Sequence, residues 1–105
     1  MSTAQAKSVV KKYADVLKKN NFSFVNLYLF GSYALGKQKR DSDIDVAVVV
    51  KKIDEDYLKQ KMNLWKFTIK VDTRIEPIIL EEEELEENNF SIMGEEVRRM
   101  GILVE

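Results

Sequence analysis

The sequence predicts a compact α/β or α+β domain, and three observations carry that prediction. The chain has 105 residues, the length of one domain, taken here as residues 1–105. Segments with helical apolar spacing alternate with short runs of branched and aromatic residues, the pattern of helices laid on a small sheet. No Pro/Gly-rich linker, repeat or low-complexity tract breaks that alternation, apart from one run of glutamates.

The elements follow in order. Val9, Val10, Tyr13, Ala14, Val16 and Leu17 recur at helical spacing after a Ser2/Thr3 start, which predicts an amphipathic helix over residues 3–20, ended by Asn20 and Asn21. The run FSFVNLYLF, residues 22–30, is too rich in aromatic and branched residues for a short helix and predicts a strand buried on much of both faces. It leads directly into Gly31-Ser32 and a short helix. DIDVAVVV, residues 43–50, predicts the next strand. Ile44, Val46, Val48 and Val50 share one face, and Asp43, Asp45, Ala47 and Val49 share the other.

Leu58, Met62, Trp65 and Ile69, spaced by four, three and four, predict a helix from Asp54 onward with that stripe in the core. Asp54 to Asp56 suit its positive start. TRIEPIIL, residues 73–80, predicts a third strand, placed at an edge or strand end by Pro77. Glu81 to Glu87 predict a solvated acidic segment. Phe90, Met93, Val97 and Met100 predict a last short helix closed by Gly101, before a short strand ILV.

Composition narrows the chemistry. The net charge of -1 gives no field for an extended nucleic-acid surface. With no cysteine and no histidine, disulfides, thiolate nucleophiles, the usual zinc sites and imidazole catalysis are excluded. Carboxylates, hydroxyls, lysines and a hard metal ion remain. No apolar run approaches the ~18 residues of a membrane span, and MSTAQAKSVVKK lacks the apolar core of a signal peptide, so the cytoplasm is the expected location.

Asp43 and Asp45, at i and i+2 of a strand, project from one face and can share hard cations. With a third carboxylate from a neighbouring strand they suit a pair of metals clamping an in-line phosphoryl displacement. Gly31 lets a phosphate approach the backbone, and Ser32 adds a hydroxyl at a helix start. Lys37, Lys39 and Arg40 follow in a loop able to steer a triphosphate. Each piece alone is commonplace: Gly-Ser ends many strands, and paired aspartates solvate many others. Together on consecutive strands they form a specific pattern. Trp65, Tyr28 and Tyr33 are expected to be packed side chains and not base-stacking platforms.

GSYALGKQKRDSDIDVAVV, with Gly-Ser, ten residues and then Asp-x-Asp, resembles the signature of the DNA polymerase β-type nucleotidyltransferase superfamily. The short length resembles its minimal nucleotidyltransferases, and TRIEPIIL, the glutamate run and EEVRRMGILVE resemble the latter half of those domains. The resemblance implies a small mixed sheet flanked by helices. It implies metal binding by Asp43 and Asp45, phosphate binding by Gly31 and Ser32, and a third, metal-binding and proton-accepting carboxylate at Glu76 of the tetrapeptide RIEP. A glutamate departs from the superfamily's more usual aspartate there, and Asp72, four residues earlier, would share its face in a regular strand.

The activity implied is Mg²⁺-dependent transfer of a nucleoside monophosphate, AMP from ATP, to a hydroxyl. The implied partner is an all-helical HEPN-domain toxin, with this chain as antitoxin in a hetero-oligomer or a homo-oligomer. Two other readings stand beside it: nucleotidylation of a small molecule such as an aminoglycoside, and a non-catalytic nucleotide-binding module that neutralises its partner by contact.

Overall fold

A computed structural model describes residues 1–105. The chain runs through α1 (Thr3–Lys19), β1 (Asn26–Phe30), α2 (Ser32–Leu35), β2 (Ile44–Val50), α3 (Tyr57–Thr68), β3 (Ile75–Glu81), a 3₁₀ turn (Glu82–Leu85), α4 (Ile92–Met100) and β4 (Ile102–Leu103). The strands form one mixed sheet in the order β3-β2-β1-β4. β1 is antiparallel to β2 and β4, whereas β2 and β3 are parallel. A parallel pair needs a crossover, and α3 provides it. No helix is long and apolar enough to cross a membrane.

α1 starts at a capping box: Ser2 Oγ accepts from the Gln5 amide, and Gln5 Oε1 accepts from the Ser2 amide. Lys18 and Lys19 sit at its negative end. Its end explains why β1 is shorter than the aromatic run suggests. Asn21 takes a left-handed φ of 59°, and the Phe22 amide donates back to Leu17 O at 2.9 Å. This Schellman-type closure turns the chain at Asn21, and the ladder pairs of β1 start only at Asn26, opposite Val49. Phe22 and Phe24 still pack their side chains against the core.

The main core lies between one sheet face and the helices α1 and α3. Leu27, Leu29, Val46, Val48 and Ile75 meet Val10, Tyr13, Leu17, Leu64 and Phe67. Tyr13 carries a polar atom into this layer, and its hydroxyl donates to Leu64 O at 2.7 Å. Burial raises the pKa of that phenol, which leaves it a donor. The opposite sheet face packs a smaller cluster of Phe30, Ala47, Leu80 and Val97, covered by α4.

Two apolar stripes depart from the sequence expectation. α3 buries Leu64, Phe67 and Thr68, while Leu58, Met62, Trp65 and Ile69 face outward. Both sets have helical spacing, and they are offset by a single residue, so periodicity alone cannot rank them. The crossover sets the rotation of the helix and turns the set containing Trp65 away. In α4, likewise, Val97 is buried while Met93 and Met100 are exposed, and Phe90 lies exposed before the helix begins. Gly94 brings α4 against the 3₁₀ turn, since a Cβ there would stand 2.0 Å from Glu84 O.

Pro77 sits in β3 at the sheet edge, where a missing N–H is tolerated. The acidic run is only partly solvated: Glu84 accepts from the Glu81 amide at 2.6 Å and from Ser91 Oγ at 2.9 Å, tying the turn to the start of α4.

Candidate active site

The site is assembled where β1 ends and β2 and β3 begin. Phe30, the last residue of β1, pairs with Asp45. Gly31 follows at φ 72° and ψ -151°, a conformation open in practice only to glycine. A Cβ on this residue would stand 2.1 Å from Asp45 Oδ2, so the backbone and the carboxylate approach as only glycine allows. α2 then begins at Ser32, and Gly36 closes it at φ 69°. Thr3 Oγ1 holds α2 against the start of α1 by donating to Tyr33 O at 2.7 Å.

The parallel register sets Glu76 of β3 directly beside Asp45 of β2. Strand alternation puts both side chains on the face covered by α4, and Asp43, two residues before Asp45, shares their parity. The three carboxylates influence one another. Burial, then the charges of Glu76, Asp43 and Glu96, push Asp45 up to about 6. Glu76 is raised by desolvation, then by the neighbouring Asp43 carboxylate.

None of the three takes part in any ion pair of the structure. Their repulsion is therefore uncompensated by protein cations. An all-oxygen, anionic donor set of this kind fits a hard divalent ion that completes its shell with water and phosphate oxygens. It is not a preassembled cage, because no three carboxylates surround a single point in coordinating geometry.

Asp72 is placed differently. Its carboxylate grips Arg74, with Oδ2 accepting from Nη2 at 2.7 Å and Oδ1 from Nε at 3.0 Å, and Oδ1 also accepts from the Arg74 amide at 2.9 Å. That contact lowers its pKa. Asp72 thus shapes the turn before β3, while Glu76 stands at Asp45. Ser32 is half-buried beside Gly31, and Lys37, Lys39 and Arg40 are exposed in the loop leading to β2.

Glu96, on α4 beside the buried Val97, was not among the residues singled out from the sequence, yet its charge reaches Asp45. Only the packing of α4 on the sheet connects these positions, which lie 51 residues apart in the sequence.

The comparisons with known proteins bear on the family and the fold. Residues 10–99 match the nucleotidyltransferase domain family. Two proteins of Methanocaldococcus jannaschii that carry the provisional name protein adenylyltransferase are similar. One is 35% identical over 69 residues, covering 58% of this chain and 79% of the relative. The other is 42% identical over 55 residues, covering 49% and 54%.

Among solved structures, a provisionally named nucleotidyltransferase from Sulfolobus solfataricus superposes with a TM-score of 0.66 at 21% identity, covering 96% of this chain and 80% of its own. A toxin-antitoxin with AMP-PNP gives 0.65 at 24% identity, over 94% of this chain and 72% of the other. A mutant of the toxin-antitoxin MntA-HpeT gives 0.65 at 23%, over 90% and 71%. At these identities the superpositions establish the shared fold. The family match runs from the middle of α1 nearly to the end of α4, and on that ground the chain belongs to the nucleotidyltransferase domain family and is a nucleotidyltransferase.

Proposed function

We propose that residues 1–105 act as one cytoplasmic catalytic domain that moves AMP from ATP to a hydroxyl of a partner protein, and that the partner is a HEPN-domain toxin which this chain neutralises. The observation that carries the chemistry is the group Asp43, Asp45 and Glu76, unpaired by any protein cation and set against the bare backbone of Gly31. The protein acceptor is supported by relatives named protein adenylyltransferase, and the antitoxin role by the toxin-antitoxin neighbours, one of them with AMP-PNP.

In this reading Asp43, Asp45 and Glu76 would hold Mg²⁺. When bound, the metal supplies positive charge to the α-phosphate and to the departing pyrophosphate. Gly31 lets the triphosphate lie against the backbone, and Ser32 offers it a hydroxyl. Glu76 accepts the proton of the attacking hydroxyl. The acceptor oxygen bonds to the α-phosphorus as the bond to the bridging oxygen breaks, and pyrophosphate leaves.

The test is incubation of the purified chain with α-³²P-labelled ATP and Mg²⁺, with and without the protein encoded beside it, following label on a gel. Label on the neighbour that disappears with Asp43→Asn supports the proposal. A stable complex without label, with all four nucleoside triphosphates tried, would point to a small-molecule acceptor or to neutralisation by contact.

A further inference from the structure

The exposed large apolar side chains fall mainly into two groups on opposite faces of the sheet, and the groups carry opposite charge. On α3, Leu58, Met62, Trp65 and Ile69 are 67, 62, 42 and 73% exposed. They line up along roughly 16 Å of helix surface. With Lys61, Lys66 and Thr73 they border a groove of about 720 Å³. Residues 57–70 carry four lysines and no carboxylate. On the other face Phe90 is fully exposed and Ile92 is 86% exposed, at the corner between the 3₁₀ turn and α4. The run before this corner, Glu81 to Glu87, holds six glutamates in seven residues. Glu84 is used internally, whereas Glu82, Glu83, Glu86 and Glu87 are exposed and form no ion pair.

The corner cannot reach the groove of its own chain. α3 packs with α1 on one sheet face, and α4 packs on the other. An apolar knob that follows a run of carboxylates and an apolar groove bordered by Lys61 and Lys66, held apart by the sheet, complement each other only between molecules.

We propose that this chain associates head to tail with a second copy of itself, the Phe90–Ile92 corner of one copy seated in the α3 groove of the next, with Glu86 and Glu87 facing Lys61 and Lys66. Pairing two α3 grooves would bring lysines against lysines. A contact between two different surfaces propagates into a ring or an open chain, so its signature is growth beyond a dimer. The contact does not depend on the nucleotide chemistry.

Sedimentation of the full chain, from tens to hundreds of micromolar in low and high salt, tests it with two variants. Met62→Glu spoils the groove and Phe90→Lys spoils the knob. Both positions are exposed, and unchanged melting curves confirm that each variant folds. The wild-type chain should grow beyond the monomer with concentration and shrink with salt. Each variant alone should stay monomeric. An equal mixture should form a species of two chains and no larger, because the intact knob of one variant fits the intact groove of the other. A wild-type chain that stays monomeric throughout overturns the proposal and leaves the groove to a different protein or a lipid surface. Association that survives in either variant, or a mixture that stays monomeric while the wild type associates, overturns it too.

Discussion

Oδ2 of Asp45 occupies the space a side chain at residue 31 would need, 2.1 Å from where a Cβ of Gly31 would be. The metal-side and phosphate-side parts of the proposed site are therefore in direct contact, and a change in one displaces the other.

Gly31→Ala should damage both folding and transfer. The φ of 72° with ψ of -151° costs a side-chain-bearing residue about 1–3 kcal/mol, and the new methyl must push Asp45 aside. Gly36→Ala is the control. Its φ of 69° and ψ of 21° lie in the left-handed helical region, where an alanine costs about 1–2 kcal/mol, but no atom lies within 4 Å of the added Cβ. Thermal melts should show both variants destabilised, whereas label transfer should fall by orders of magnitude only for Gly31→Ala.

Asp45→Asn should stabilise the metal-free protein and abolish transfer. Asp45 is partly buried among Glu76, Asp43 and Glu96 with no cation beside it, so removing its charge relieves repulsion. At neutral pH in a chelator the variant should melt above the wild type. Adding Mg²⁺ should raise the wild-type melting temperature and narrow the gap. A wild type indifferent to Mg²⁺, with or without ATP, would contradict the metal assignment.

Asp72→Asn and Glu76→Gln should separate shape from chemistry. Arg74 holds the Asp72 carboxyl below its ordinary value of 3.8. The stabilisation from that contact is present above 3.8 and is lost as pH falls through the lower folded value. Asp72→Asn should therefore melt slightly below the wild type at pH 7, by an amount that closes in acid, and should retain transfer. Glu76→Gln should keep or raise the melting temperature, because its carboxylate is repelled and not paired, and should lose transfer. Melts from pH 3 to 7 and one labelling assay decide between the two.

Much of the architecture was legible because it is encoded over short range. The capping residues and apolar spacing of α1 lie within one segment, and DIDVAVVV alternates with the strand period, so its position and the shared face of Asp43 and Asp45 can be read directly. The end of β1 at Phe30 and the turn at Gly31 were likewise visible, since only glycine suits that backbone. The start of β1 was hidden, because the closure of α1 competes for the same residues.

By itself, then, the sequence determined the element order and type, the carboxylate pair on one strand face, and the Gly-Ser turn before it, all consequences of backbone periodicity and local conformational preference. The tertiary structure decided which of two adjacent apolar stripes on α3 meets the core, that Glu76 and not Asp72 stands beside Asp45, and that the charge of Glu96 on α4 is felt there. Those outcomes depend on helix rotation and strand register. Both are set by packing between segments distant in the chain, and no local pattern records them.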